Sequence, residues 1–201
     1  MTLPDVPRDR RVLLVTGQVD GDASVRRGGG DIQSNAALLT TVRKNNPDAY
    51  ILYLEHPDVA SDNRPGKIAP EMLRTLADQT LHGIRVLDLL PICNELHVLT
   101  SLSGFEALLR GVPVSTYGRP FYAGWGLTND ALTFPTRTAR LSLEQLVAAT
   151  LILYPRYYDW DTGLFCRCED VCERMIEKRS PTIPLWAVSY THLRAHETEA
   201  D

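Results

Sequence analysis

Apolar and polar positions follow one another along the chain in a repeating order of short apolar runs and amphipathic stretches. Five apolar runs of β-type residues lie at 12–16, 49–54, 84–87, 96–99 and 112–116. Patterns with helical spacing lie at 31–45, 70–81, 103–110, 142–153 and about 168–178. Strands that alternate with helices predict an α/β fold built on a doubly wound parallel sheet. Most of the strands lack polar alternation, which is typical of strands covered on both faces.

Residues that favour helix ends support these bounds. Asp31 can cap the helix predicted at 31–45, and Pro70 suits the first turn of the next one. Gly111 is a usual stop for a helix that ends at residue 110. Ser142, followed by Glu144 two residues later, is close to a capping box.

Three polar-rich segments each come directly after a predicted strand. They are 17–30 after the first strand, 55–66 after the second and 100–104 after the fourth. In an open α/β sheet, ligands bind where the carboxyl ends of the strands meet the following helices. We therefore expect these three segments to form one binding site.

The most informative of the three begins the stretch TSLSGFEALLRGVPV, which places Ser101, Ser103 and Gly104 between a strand and a short helix. Free backbone N–H groups, the helix dipole and the serine hydroxyls would make such a place an anion site. Glu106, in the first turn, can accept hydrogen bonds from a ribose. The alternative is structural, with Ser103 capping the helix and Glu106 as its capping-box partner. From the residues alone, both interpretations stay open.

A second candidate is the pair His56 and Pro57, which immediately follows the second strand. A histidine there can donate a hydrogen bond to a phosphate, and Pro57 stiffens the turn that aims it. A surface histidine in a proline-rich loop is more often inert. The position directly after a strand is what favours the functional interpretation.

The third candidate is the stretch GQVDGDASVRRGGGD, which supplies Gln18, Asp20, Asp22 and Ser24. A pair of carboxylates can act as a base, a nucleophile or a metal ligand. The alternative is a solvated acidic turn. The glycines do not form a GxGxxG motif, and Walker A spacing is also absent.

Charge and composition narrow the function classes. The formal net charge of −4 and the scattered basic residues do not suggest a nucleic-acid binder. The sequence shows no apolar run as long as a membrane span and no signal peptide. The four cysteines do not look like a secreted disulfide framework, so we expect a cytoplasmic protein. We also expect no metal, because the Cys-x-Cys-x3-Cys spacing at 166–172 is not a standard zinc pattern.

The last residues look foreign to the rest of the chain. The stretch VSYTHLRAHET resembles the translation of a sequencing adapter, and residues from about 187 onward show no apolar periodicity. We expect a start or linker at 1–10, one nucleotide-sugar-binding domain at 11–180, and a non-native or disordered tail at 181–201. The gene is then truncated at this end.

Four stretches together carry a family resemblance. They are GQVDGDASVRRGGG, HPDV with NRPG, LLPICNELHVLTSLSGFEALLRGVPVSTYGRPFYAGWGLT, and ILYPRYYDWDTG. From about residue 11 to about residue 178, the chain resembles the capsular polysaccharide biosynthesis proteins that are retaining β-Kdo transferases. The resemblance implies a GT-B glycosyltransferase fold, of which this chain is the Rossmann-like, donor-binding C-terminal half.

The same resemblance implies ligands and partners. The donor is CMP-Kdo, the acceptor is a Kdo oligosaccharide on lysophosphatidylglycerol, and no cofactor is needed. The protein is then cytoplasmic, with peripheral association at the inner face of the inner membrane and with capsule assembly proteins.

The resemblance also implies roles for individual residues. His56 and Pro57 match the family's His-Pro element, and Ser101 and Ser103 match its phosphate-binding serines. These residues, with Gly104 and Glu106, form the expected substrate site. One departure is Leu54, since the family usually has a lysine two residues before the histidine.

The first loop matches the family's Gln…Asp-x-Ser motif through Gln18, Asp22 and Ser24. Asp22 is then the nucleophile, in preference to Asp20. A nearby Arg26 or Arg27 would supply positive charge that keeps its carboxylate ionised.

Two other functions fit parts of the sequence. A non-catalytic nucleotide-sugar-binding domain would bind the donor without turnover. A nucleotide-sugar epimerase with a GT-B fold would share the Ser/Glu element, but it would not explain QVDGDAS or YGRPFYAGWGLT. We expect the latter stretch, residues 117–128, to be a loop over the active site. The alternative is that Phe121, Tyr122 and Trp125 pack onto the core.

Overall fold

A six-stranded sheet organises the first of two compact units. The computed structural model describes residues 3–177, and the chain divides between Leu146 and Val147. The strands are β1 (Val12–Thr16), β2 (Tyr50–Leu54), β3 (Gln79–Leu81), β4 (Glu95–Val98), β5 (Val114–Thr116) and β6 (Asn129–Asp130). Their order across the sheet is β3-β2-β1-β4-β5-β6, and all neighbours pair in parallel. The sheet and the helices that flank it confirm the predicted α/β, Rossmann-like class.

Short helices connect most of the strands. They are α1 (Ala23–Gly28), α2 (Asn35–Asn45), α3 (Pro57–Ala60), α4 (Pro70–Leu76), α5 (Val86–Leu89), α6 (Ser103–Leu108) and α7 (Leu143–Val147). A 3-10 turn, Leu90–Ile92, follows α5. Leu38, Leu39 and Val42 of α2 are fully buried against side chains of β1 and β2. This burial of apolar surface is the main force that holds α2 on the sheet.

The expected strand at 84–87 is wrong. The third strand is Gln79–Leu81, which the spacing had assigned to the end of a helix, and α5 occupies Val86–Leu89. β3 lies at the edge of the sheet, so it tolerates the polar residues Gln79 and Thr80. Because of these polar residues, the segment does not stand out as an apolar run. Gly83, at φ +66°, turns the chain between the two elements.

Two helix starts also differ from expectation. Ser34, not Asp31, caps α2, because its side chain accepts a hydrogen bond from the Ala37 N–H at 3.2 Å. Ser142 forms a reciprocal capping box with Gln145, not with Glu144. Ser34 lies three residues after the expected Asp31, whereas Ser142 is the expected cap residue with a different partner.

The strand order reverses between β1 and β4. Both neighbours of β1 in the sheet are parallel to it, but the chain leaves toward β2 on one side and returns to β4 on the other. Such a switch point opens a crevice at the carboxyl ends of the two strands. The segments after β1, β2 and β4 all start at this edge, as predicted.

The second unit is described from Val147 to Glu177. It holds a π-helix (Ala148–Leu153), an antiparallel hairpin of β7 (Tyr157–Asp159) and β8 (Leu164–Cys166), and α8 (Cys168–Glu177). Arg174 of α8 contacts the carboxylates of Asp159 and Asp161. The predicted helix at 142–153 is thus an α-helix followed by a π-helix. The expected tail at 181–201 lies outside the described residues.

Between residues 3 and 177, no helix has the length and apolar character that a membrane crossing requires.

A buried polar cluster surrounds β4. Arg11 and Ser115 contact the carboxylate of Glu95, and His97 Nε2 is 3.7 Å from the same group. The Nδ1 atom of His97 pairs with the Tyr117 hydroxyl at 3.1 Å. Burial lowers the pKa of His97 well below its usual value, although Glu95 acts to raise it. His97 is therefore neutral in the folded protein at neutral pH.

This cluster predicts a pH dependence of stability. The unfolded state protonates His97 near pH 6.5, whereas the folded state does so only at lower pH. The free energy of unfolding should therefore be maximal above about pH 6.5 and should fall below it by up to about 1.4 kcal/mol per pH unit. Urea unfolding at a series of pH values measures this slope. His97→Phe should flatten it, and an unchanged slope in that variant would contradict the assignment.

Candidate functional site

The side-chain amide of Asn35 joins the first two loops of the crevice. Asn35 is 1% exposed at the start of α2. Its Nδ2 donates to the carbonyls of Gln18 (2.6 Å) and Gly66 (2.9 Å), and its Oδ1 accepts from the Gln18 N–H at 2.8 Å. One buried amide thus fixes the loop after β1 against the loop after β2.

Gln18 joins the loop after β1 to the loop after β4. Its Oε1 accepts from the Thr100 N–H at 2.9 Å, and its Nε2 donates to Thr100 Oγ1 at 3.0 Å. Both ends of the amide are therefore engaged by one residue across the switch point. Gln18, expected at the substrate site, thus also forms a bridge within the protein.

The two aspartates of the first loop have different surroundings. Asp20 accepts a hydrogen bond from the Asn35 N–H at 3.0 Å, and burial raises its pKa although that hydrogen bond acts to lower it. Asp22 is exposed, immediately precedes α1 and does not cap that helix with its side chain. Ser24 Oγ donates to Asp22 Oδ2 at 2.9 Å, the contact expected from the Asp-x-Ser spacing. Asp20 serves the scaffold, whereas Asp22 faces solvent.

The expected arginine partners of Asp22 do not pair with it. Arg26 and Arg27 lie in the last turn of α1 with exposed side chains. Within residues 3–177, the ion pairs include none between Asp22 and either arginine. Both cations are therefore available at the surface next to this loop.

His56 caps the helix that starts at Pro57. Its Nδ1 accepts a hydrogen bond from the Asp58 N–H at 3.2 Å, so the proton of the neutral ring is on Nε2. Burial lowers the pKa of His56; Asp58 and Asp22 raise it, and Arg64 lowers it further. The charges of Asp22 and Arg64 therefore act on one imidazole. His56 is a neutral donor at neutral pH, with a carboxylate and a guanidinium in its vicinity.

A chain of hydroxyls runs from β1 to the turn after β4. Ser103 Oγ, on a residue that is 6% exposed, is 2.7 Å from Ser101 Oγ and 3.5 Å from Thr16 Oγ1. Ser101 is only half-buried, so its hydroxyl is the outer member of the chain. Ser103 orients the Ser101 hydroxyl from behind.

The backbone of this turn is less open to an anion than expected. The Ser103 N–H points to Ser101 Oγ at 3.3 Å, and the Gly104 N–H points to the Ser101 carbonyl at 3.2 Å. The expected free amides at these two residues therefore already have internal partners. The hydroxyls remain as donors, Ser101 above all.

The structural interpretation of Ser103 and Glu106 also fails. Leu102 occupies the cap position of α6, and the N–H of Ser103, its first residue, bonds to Ser101 Oγ, so Ser103 is not the cap residue. Glu106 is half-buried in the first turn, where burial raises its pKa although Arg110 acts to lower it. A carboxyl group at this position, next to the turn, remains available to accept hydrogen bonds from a hydroxyl.

The glycines near the site allow segments to approach one another closely. A Cβ on Gly28 would lie 2.9 Å from the Thr100 methyl, and one on Gly118 would lie 2.7 Å from the Gly28 carbonyl oxygen. The Arg119 N–H donates to that same carbonyl at 2.7 Å. A Cβ on Gly104 would lie 2.1 Å from the Tyr122 hydroxyl. These glycines serve contacts within the protein.

The part of the chain from residue 3 to residue 177 contains no group of three or more His, Cys, Asp or Glu side chains placed to hold a metal ion. The chemistry available at the crevice is that of hydroxyls, an imidazole, carboxylates and nearby guanidinium groups.

Three residues of the site were missed by the analysis of the sequence. Asn35 and Thr100 act only through contacts with residues distant in the chain, so no local pattern indicated them. Arg64 stands in the NRPG stretch that carried part of the family resemblance. Arg64 follows His56 by eight residues and Pro57 by seven, and this short separation could have indicated that it lies near them.

Comparisons with known proteins give a consistent result. A family model described as capsule polysaccharide biosynthesis protein matches residues 2–157. The capsule polysaccharide modification protein LipA of Neisseria meningitidis serogroup B is 51% identical over 172 residues, which are 86% of this chain and 24% of LipA. The lipopolysaccharide-processing protein LpsZ of Rhizobium meliloti is 40% identical over 151 residues, which are 75% of this chain and 34% of LpsZ.

Two solved structures of KpsC from Thermosulfurimonas dismutans are also similar. The chain titled beta Kdo 2,7 transferase matches with a TM-score of 0.76 and 41% identity. The chain titled beta Kdo 2,4 transferase matches with a TM-score of 0.69 and 32% identity. Each match covers 85% of this chain and 55% of the solved chain. The chain therefore spans about a quarter to a third of the two curated relatives and just over half of each solved chain.

The amide of Asn35 predicts a large effect on stability. Asn35→Ala would leave the Gln18 and Gly66 carbonyls and the Gln18 N–H without their partner. We expect a loss of about 2–4 kcal/mol in the free energy of unfolding, because each buried polar group left unsatisfied costs about 1–3 kcal/mol. Denaturant unfolding measures it. The matched control is Asn63→Ala, an exposed amide bonded to Ser61 Oγ, which should change stability by less than about 0.5 kcal/mol.

If Asn35→Ala were as mild as Asn63→Ala, the amide would not be what joins the two loops.

Proposed function

Because the chain belongs to the capsule polysaccharide biosynthesis family, we propose that it is the donor-binding part of a retaining β-Kdo transferase. The donor is CMP-Kdo and the acceptor is a lipid-linked Kdo oligosaccharide on lysophosphatidylglycerol. The two similar KpsC structures, both beta Kdo transferases, support the sugar and the reaction class. The activity belongs to the whole transferase, of which this chain is a part.

The observation that carries the proposal is the convergence of three loops at the switch point of the sheet. Hydrogen bonds of Asn35 and Gln18 hold the loops after β1, β2 and β4 together. His56 and Ser101 come from two of these loops and Asp22 from the third. A nucleotide sugar needs donors for its phosphate and a group for its anomeric carbon, and this edge offers both kinds.

His56 and Ser101 are the proposed phosphate donors. The neutral imidazole presents Nε2–H, and Ser101 presents a hydroxyl that Ser103 orients. When the bond between the anomeric carbon and the phosphate oxygen breaks, negative charge accumulates on CMP. Hydrogen-bond donors already in place at that oxygen stabilise the departing CMP more than they stabilise the intact, bound CMP-Kdo. Arg64 adds a positive charge near His56.

Asp22 is the proposed nucleophile, because its carboxylate is exposed and is oriented by Ser24. Its oxygen attacks the anomeric carbon of Kdo as the bond to CMP breaks, and CMP leaves with the bonding electrons. The acceptor hydroxyl then attacks the same carbon, gives up its proton to a base or to water, and releases the Asp22 carboxylate. Two displacements at one carbon retain its configuration.

Asp20 is a poor alternative for this role. Its carboxylate accepts the Asn35 N–H, and burial raises its pKa. Gln18 supports the nucleophile loop through its bridge to Thr100, and Glu106 is placed to accept from a ribose hydroxyl. Pro57 and Gly104 shape their turns.

A non-catalytic nucleotide-sugar-binding domain is the second candidate. It is favoured by one observation, that the matched region is 55% of each solved Kdo transferase chain. Such a domain would bind CMP without turnover, so binding alone does not separate the two functions.

The phosphate donors predict the nucleotide affinity of this chain. His56→Ala and Ser101→Ala should each weaken CMP binding about tenfold to a hundredfold, because each removes a hydrogen bond to a charged group worth about 1.5–3 kcal/mol. Isothermal titration calorimetry measures it. Ser142→Ala, which removes a serine of the α7 cap, is the matched control and should bind as the wild type does. Equal affinity for UDP and CMP, or unchanged binding in His56→Ala with Ser101→Ala, would contradict the proposed site.

The nucleophile is tested in a protein that carries this segment together with the rest of the transferase. Asp22→Asn should abolish transfer and keep CMP binding, because the phosphate donors are on other residues. Mass spectrometry of the wild-type enzyme with CMP-Kdo should find a Kdo adduct on the peptide that contains Asp22. Asp20→Asn is the control. This variant should be less stable than the wild type but should still form the adduct. Full activity of Asp22→Asn, or an adduct on Asp20, would remove Asp22 from this role.

A further inference from the structure

The segment that follows β5 is fastened at its far end by Asp130. The carboxylate of Asp130 accepts hydrogen bonds from Thr116 Oγ1 (2.7 Å), Thr128 Oγ1 (2.6 Å) and the Gly124 N–H (2.8 Å). Because Thr116 ends β5 and Asp130 ends β6, these bonds close residues 117–130 into a loop anchored on the sheet.

Arg137 fastens the middle of the same loop. Its Nη1 donates to the carbonyls of Pro120 (2.8 Å) and Ala123, on either side of Tyr122. The guanidinium also lies over the rings of Trp125 and Phe134, with its carbon 5.4 and 4.8 Å from their centres. A single side chain thus fixes the backbone on both sides of Tyr122.

Tyr122 connects this fixed loop to the turn after β4. Its side chain is 0% exposed, and its ring packs against Phe105 and Phe121 at 6.4 and 5.2 Å between ring centres. The hydroxyl donates a hydrogen bond to the Ser101 carbonyl, the same carbonyl that accepts from the Gly104 N–H. For Tyr122, this agrees with the alternative that the residue packs onto the core.

We propose that Tyr122 is a positioning residue of the donor site, whose hydroxyl fixes the turn Ser101–Gly104 so that the Ser101 hydroxyl faces the phosphate. The inference rests on the proposed function. The loop of residues 117–130, which carries Tyr122, contributes no atom to the phosphate contacts named above. Arg137 acts one step further away, because it holds the backbone that carries Tyr122.

The hydroxyl, rather than the ring, carries this role. Phenylalanine would keep the contacts with Phe105 and Phe121 and the close approach to Gly104. It would lose only the hydrogen bond from the hydroxyl to the Ser101 carbonyl. Ser101 would then keep its contact with Ser103 Oγ, but its backbone would be free to rotate the hydroxyl away from the phosphate. A loss of binding in this variant therefore reports the orientation of the turn.

The experiment compares Tyr122→Phe with Tyr117→Phe. Tyr117 is a matched control, since it is also buried and its hydroxyl also pairs with a partner, His97, within the same unit. Calorimetry should show CMP binding about tenfold weaker in Tyr122→Phe and unchanged in Tyr117→Phe. Thermal unfolding of both variants establishes that they fold. Arg137→Lys, which keeps the charge and loses the planar fork, should weaken binding in the same direction.

A spectroscopic measurement separates positioning from stability. In the 31P spectrum at saturating CMP, the resonance of the bound phosphate should move toward that of free CMP in Tyr122→Phe and should stay in place in Tyr117→Phe. If the wild type binds CMP and Tyr122→Phe matches it in affinity and in 31P shift, the inference is overturned and the proposed function stands. If the wild type does not bind CMP, both are overturned.

Discussion

The hydrogen bonds of one buried amide, that of Asn35, are the constraint on which the site depends. Parallel strands bring their carboxyl ends to one edge, but the sheet alone does not fix the loops that follow. Asn35 satisfies the Gln18 carbonyl and N–H and the Gly66 carbonyl in a position that excludes water. Because these backbone groups have no solvent to replace the amide, the two loops are held in one arrangement. Gln18 then extends the same order to Thr100, across the switch point.

The hydrogen bonds of Asn35 give the two aspartates of the first loop different roles. Asp20 is drawn into the scaffold by the Asn35 N–H, and Asp22, two residues later, stays at the surface. The position where the family usually has a lysine holds Leu54, which is 6% exposed and cannot supply a charge. The charge of Arg64 instead acts on His56. Under the proposed function, Arg64 supplies positive charge near His56 from the loop that Asn35 holds through Gly66.

Elements whose position is decided by burial could be predicted from the sequence, whereas those decided by tertiary contacts could not. β1, β2, β4 and β5 were predicted because their apolar runs are long and covered on both faces. β3 and β6 were missed because short edge strands carry polar residues, such as Gln79 and Asn129, that solvent tolerates. Chain topology was enough to bring the three loops together in the prediction. It did not identify Asn35, whose partners lie 17 and 31 residues away.

The glycines and aromatic residues of the loops show why composition alone misleads. Glycines after a strand suggest a backbone that approaches a ligand, yet Gly28, Gly104 and Gly118 each face another part of this chain. Their small size lets the loops pack on one another, which places polar groups such as the Ser101 hydroxyl at the outer surface of a rigid support. Residues 117–130 contribute to this support as well, since the Tyr122 hydroxyl donates a hydrogen bond to the Ser101 carbonyl of the turn. The ligand-facing chemistry of the crevice is therefore what remains after the protein has satisfied its own buried groups.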